Sequence, residues 1–240
     1  MKTVWNVLAV VAMFATFAFT QSDQQKGSTE RERVKHSGEV LKQILDTPDN
    51  GIPESVLNGS KCVIVLPSVK KAAIGIGGSY GRGVMTCRSG ANYKGPWSAP
   101  MMMSSTGGNI GFQLGGEATD FVIIVTNDSG VKSLMKSKVK LGADASVAAG
   151  PVGRTAEAST NERLDAEMLS YSRAKGVFGG VSLSGATLHV DGDANEHLYG
   201  KKISAEEIMA GKVQSPPEAQ QLIASLQKSQ NVARQKPKSR

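Results

Sequence analysis

Between Ile74 and Val84 the chain reads IGIGGSYGRGV, with glycines at 75, 77, 78, 81 and 83. Backbone this rich in glycine is limited to a few uses: it cradles a phosphate, or it turns and packs closely within a sheet. A dinucleotide fingerprint needs Gly-x-Gly-x-x-Gly between a strand and a helix. Gly75 and Gly77 fit, but Tyr80 holds the third position, where its ring blocks close helix–strand packing. The residues that follow, Val84 to Arg88, read as a strand and not as a helix. A phosphate loop of the Gly-Lys-Ser/Thr kind fails sooner, because that triplet is absent. Glycines inside strand-like sequence mark hairpins, bulges or barrel corners, and that reading leads.

The neighbouring segments have the same grain. Cys62 to Leu66 (CVIVL) is a continuous apolar run that Pro67 should stop, and Ala72 to Tyr80 and Val84 to Arg88 follow as strands. Asp120 to Asn127 (DFVIIVTN) is a second apolar strand, closed by Asn127-Asp128-Ser129-Gly130. Further short strands fall at Gly111 to Gly115, Glu167 to Ala174, Val177 to Leu183 and Thr187 to Asp191. Helical spacing of apolar residues predicts a helix from Thr29, its N-cap, to Leu45, and a short one from Pro53 to Leu57. Val131 to Leu134 reads as a helical turn. Ser204 caps a helix in ISAEEIMA, and Glu218 to Leu226 forms another after Pro216-Pro217. Hydrophobic residues make up 40% and aromatics only 5%, so the core must be aliphatic. The expected fold class is α+β: a mostly antiparallel sheet curled into a barrel or sandwich, with helices at the N- and C-terminal ends.

The first residues, Met1-Lys2 and then an apolar run to Phe19, have the pattern of a signal peptide or an uncleaved anchor over residues 1–20. A disordered linker is expected over 21–28, one domain over 29–226 and a disordered basic tail over 227–240. The expected location is therefore exported: periplasm or cell envelope, or secreted. Cys62 and Cys87 are the only cysteines. They lie on strands either side of the glycine run and have two readings, a disulfide or a pair of buried thiols.

No catalytic constellation emerges. Around Ser182 the second glycine of a nucleophile elbow is replaced by Ser184. Asp191-Gly192-Asp193 begins like a calcium loop but has Glu196 at the sixth position and Lys202 at the twelfth, so a solvated turn is expected. No cofactor, metal or small-molecule substrate is implied. The formal charge is +7, of which residues 201–240 carry +5. Aromatic residues are not interleaved with the basic clusters, which argues against nucleic acid. Lys136, Lys138 and Lys140 alternate and would share one face of a strand, while Lys70, Lys71 and Arg82 flank the glycine run. Such residues either guard a sheet edge or meet an anionic surface. Met101-Met102-Met103 is read as core or as an adaptable apolar surface.

Several of these stretches together resemble the SYLF lipid-binding family. They are Pro67 with IGIGGSYGRGV, Trp97-Ser98-Ala99-Pro100, and Gly107 to Gly115 (GGNIGFQLG). Leu141 to Arg154 (LGADASVAAGPVGR), Ser170 to Leu183 (SYSRAKGVFGGVSL) and Tyr199-Gly200 follow in family order. The resemblance implies a non-enzymatic module that binds acidic phospholipids, with actin a further partner of some fungal members. With the export signal it suggests the stand-alone bacterial branch. The expected partner is an anionic phospholipid membrane surface, met by Lys70, Lys71, Arg82, Lys136, Lys138 and Lys140. The alternatives are a structural or protein-interaction module of the envelope, and a hydrolase assembled from distant residues.

Overall fold

The two continuous apolar runs become the centre of a sheet that is covered on both sides. A computed structural model describes residues 25–47, 51–74, 76–110, 117–152, 165–174 and 177–235, and the expected signal segment lies outside them. Nine strands form one sheet: β1 (Cys62–Ile74), β2 (Ile76–Cys87), β3 (Met101–Ile110), β4 (Glu117–Val125), β5 (Val139–Lys140), β6 (Val147–Ala149), β7 (Met168–Ala174), β8 (Val177–Gly180) and β9 (Ala186–Val190). Their order is β5-β9-β3-β2-β1-β4-β7-β6, with β8 also paired to β7. All pairs are antiparallel except β6 with β7, so the sheet is mixed. It curls into a half-barrel. The α+β class read from the sequence is the observed one.

Strand alternation sends neighbouring residues to opposite faces, and here both faces are buried. From β1, Val63 and Val65 join one core with Val84, Met102, Val122, Ile124 and Tyr171. Cys62, Ile64 and Leu66 join the other, with Met85, Met101, Met103, Phe121 and Ile123. The methionine run is thus core on both sides. Over the first face lie helix α1 (25–45), α2 (Glu54–Gly59), α4 (Gly192–Tyr199) and α6 (Gln220–Gln235), contributing Val34, Leu41, Ile44, Val56, Leu198, Leu222 and Leu226. Over the second lie α3 (Asp128–Leu134) and α5 (Ala205–Met209), contributing Val131, Leu134 and Ile208.

Helix starts follow their caps. Asn127 accepts from the Gly130 amide to open α3, Asp191 accepts from the Ala194 amide to open α4, and Ser204 with Glu207 forms a capping box for α5. Two sequence expectations are corrected. Thr29 does not cap α1, because the helix already runs from residue 25 and the Thr29 hydroxyl donates back to the Gln25 carbonyl. At the other end α6 continues to Gln235. Pro67 does not stop β1: the strand bulges between Val65 and Lys70 and then resumes. At the bulge Ser68 takes a φ of +49°, and its amide donates to Asp120 Oδ1 at 2.9 Å. Proline is tolerated at such irregularities because no ladder bond is asked of it.

The glycine run divides by position. The β1–β2 hairpin pairs Ile74 with Ile76. Gly83 has another purpose. A Cβ there would lie 1.9 Å from the Val65 carbonyl oxygen, because the bulge carries β1 across β2. The glycine answers the bulge, and no phosphate is needed to account for it.

Candidate functional site

Helix α1 runs over the sheet beside the bulge and leaves an open groove of about 600 Å³. Glu32, Arg33, Lys35, His36 and Glu39 line one wall; Pro67, Ser68, Lys70, Tyr80 and Arg82 line the other. Register explains the second wall. Lys70 is the cross-strand partner of Tyr80, Tyr80 of Thr106, Thr106 of Thr187, and Thr187 of Lys140. Directly paired residues share a face, so Lys70, Tyr80 and Lys140 project from the same side. The two lysines are four strand spacings apart, about 19 Å. Arg82, two residues beyond Tyr80, belongs to that side too, its guanidinium 5.9 Å from the Tyr80 ring centre. Tyr80 is 49% exposed, unusual for a large aromatic residue in this fold.

The groove is not uniformly basic. Arg82 Nη2 lies 3.5 Å from Asp191 Oδ2, and Arg82 Nη1 lies 3.9 Å from Glu30 Oε1. Glu30 is buried and also pairs with Arg33. Burial, and after it the nearby Arg82 charge, pulls the Arg33 guanidinium below its ordinary value. Arg82 is therefore a shared cation that ties α1 to the β9–α4 junction, and not a free one. At the other end Arg173 holds Asp120 at 2.7 Å and donates to Gln43 of α1. The sequence points to a helix that contains Arg33, Lys35 and His36, but not to its place across from the glycine run.

The remaining candidates are dispersed. Lys136 and Lys138 are exposed but precede β5, which contains only Val139 and Lys140, so the three do not alternate along one strand. Among the described residues, no ion pair involves Lys70, Lys136, Lys138 or Lys140. For Lys71 only the backbone pairing, with Ser79 and Glu117, is described. Cys62 and Cys87 are direct partners across β1 and β2 with Cα atoms 4.0 Å apart, and their sulfurs are bonded at 2.06 Å in the buried second core. Ser182 Oγ is 3.0 Å from Ser184 Oγ on an exposed turn. Among the described residues no three His, Cys, Asp or Glu side chains gather as a metal would require. No helix among them is long and apolar enough to cross a membrane.

Residues 106–229 match the family model Ysc84, described as Las17-binding protein actin regulator. An SH3 domain-containing protein of Schizosaccharomyces pombe is 36% identical over 83% of this chain and 47% of its own length. Protein YSC84 of Saccharomyces cerevisiae is 35% identical over 82% of the chain and 43% of its own length. The human SH3 domain-containing YSC84-like protein 1 is 31% identical over 82% of the chain and 58% of its own length. The chain thus spans about half the length of these relatives, whose names are those of binding or regulatory proteins and not of enzymes. By the family model, and by relatives at least 35% identical over more than four-fifths of its length, the chain belongs to the Ysc84, or SYLF, family.

Proposed function

We propose that this protein is a non-enzymatic module that binds anionic phospholipid at an envelope membrane, presenting the α1–β2 groove and its sheet face to the headgroups. One observation supports the reading most: Lys70, Tyr80, Arg82 and Lys140 share one face of the sheet. An aromatic ring between cations suits the boundary between polar headgroups and acyl chains. Each basic side chain near an anionic surface adds about 1 kcal/mol, so the two unpaired lysines favour anionic over neutral membranes by about 2 kcal/mol. Arg82 adds less while Glu30 and Asp191 hold it. Co-sedimentation of the whole chain with vesicles tests this. Pelleting with phosphatidylglycerol vesicles, weakened by salt and absent with phosphatidylcholine, supports it.

A second reading rests on the comparisons. The matching family is described as Las17-binding, and two of the three relatives are named as SH3 domain-containing. A protein-interaction role for the same face predicts no pelleting with either vesicle.

A further inference from the structure

On the opposite side of the sheet from the groove, a cavity of about 170 Å³ opens between the half-barrel and the turn after β8. Its wall takes residues from β4, β1, β2, β3 and β9 in turn: Phe121, Leu66, Ser79, Ser105 and Ala186. Five adjacent strands reach one small volume only where the sheet curls around it. The residue types change along this face. Towards the disulfide it carries Met85, Met101, Met103 and Ile123, all buried. Towards the hairpin the same alternation delivers Ser79, Ser105 and Gly107, and the space that larger side chains would fill is left open.

Among the described residues the lining contains no charged side chain. It does contain four hydroxyls with spare capacity, since each has one donor and two acceptor sites. Among the described residues the Ser182 and Ser184 hydroxyls bond to one another, at 3.0 Å. Ser79 reaches the Gly107 carbonyl at 3.4 Å, the limit for such a bond. Ser105 Oγ makes no hydrogen bond to the described residues, although Ser105 is only 6% exposed. Leu66, Val69, Phe121, Leu183 and Ala186 supply the apolar part of the lining.

We infer that this cavity binds a small neutral polyhydroxylated molecule, such as a three- or four-carbon polyol or the uncharged glycerol portion of a larger ligand. The volume corresponds to roughly five or six waters, taking about 30 Å³ each, which suits that size class. Absence of charge disfavours phosphates and carboxylates, and the ring of hydroxyls disfavours an alkyl chain. The site is independent of the lipid-binding groove.

Saturation-transfer NMR on the full chain tests the inference, with erythritol and n-butanol as probes of equal carbon number. Erythritol should receive saturation and n-butanol much less. Ser105→Ala, which keeps the cavity but removes one hydroxyl, should weaken erythritol binding about fivefold, as expected for one hydrogen bond. Ser105→Leu should abolish it by filling the space; if that variant does not fold, the alanine variant decides. Equal or stronger saturation of n-butanol, no saturation of either probe, or unchanged erythritol binding in Ser105→Ala would each overturn the assignment.

Discussion

Replacing Gly83 by alanine should damage this fold far more than a single methyl group ordinarily does. The added Cβ would stand 1.9 Å from the Val65 carbonyl oxygen and 2.8 Å from Leu66 Cα. Both obstacles are backbone, so no rotamer change relieves them, and β1 must move away from β2 at the centre of the doubly covered sheet. Overpacking of a well-filled core costs about 1–3 kcal/mol where side chains can yield. Here the upper end, about 3 kcal/mol, is the floor. For a chain of 240 residues this corresponds to a fall in Tm of roughly 6–12 °C. Gly59→Ala is the matched control: nothing lies within 4 Å of its added Cβ, at the end of α2. That variant should be neutral or gain up to about 1 kcal/mol. Urea unfolding followed by circular dichroism measures both. A Gly83→Ala loss below about 1 kcal/mol would refute the argument that the glycine is required by the bulge.

Three further outcomes follow from the same structure. The Cys62–Cys87 bond spans 25 residues, and loop-closure entropy assigns such a bridge about 3.5 kcal/mol; the urea midpoint should fall accordingly in Cys62→Ala/Cys87→Ala. Glu30→Gln removes the buried carboxylate between Arg33 and Arg82, costing about 3 kcal/mol, and amide exchange in α1 should accelerate while that in β1 does not. Burial pushes the Tyr171 and Tyr199 phenols well above their ordinary range. Both are favoured neutral in the folded state, so their stabilisation is complete below about pH 10, the unfolded value, and declines as pH rises beyond it. Phenolate absorbance from these two should therefore appear only together with unfolding.

The sequence was most readable where one physical rule acts alone. CVIVL and DFVIIV lack alternation because both of their faces are covered, and they were read correctly as strands. Ser204 was legible as a cap because its partner Glu207 lies three residues away. Non-local partners defeated other readings. Pro67 looks like a strand terminus until Asp120, 52 residues beyond Ser68, accepts the amide that the bulge exposes. Lys136 and Lys138 alternate with Lys140 in sequence, but β5 is only two residues long because it pairs solely with Val139↔Leu188 and Lys140↔Thr187. The groove was half legible. Lys70 and Arg82 flank the glycines in the sequence, whereas the carboxylates of Glu30 and Asp191 that hold Arg82 come from segments far from it.

The most direct trial of the proposed role compares vesicle affinity between two charge-reversed variants. Lys70→Glu/Lys140→Glu alters the lysines on the Tyr80 face, and Lys136→Glu/Lys138→Glu alters an equal number that precede β5 and belong to no strand. The account predicts that the first loses roughly thirtyfold or more in affinity for phosphatidylglycerol vesicles, from two lysines at about 1 kcal/mol each, and that the second loses much less. Equal losses in the two variants, or none in either, would contradict it.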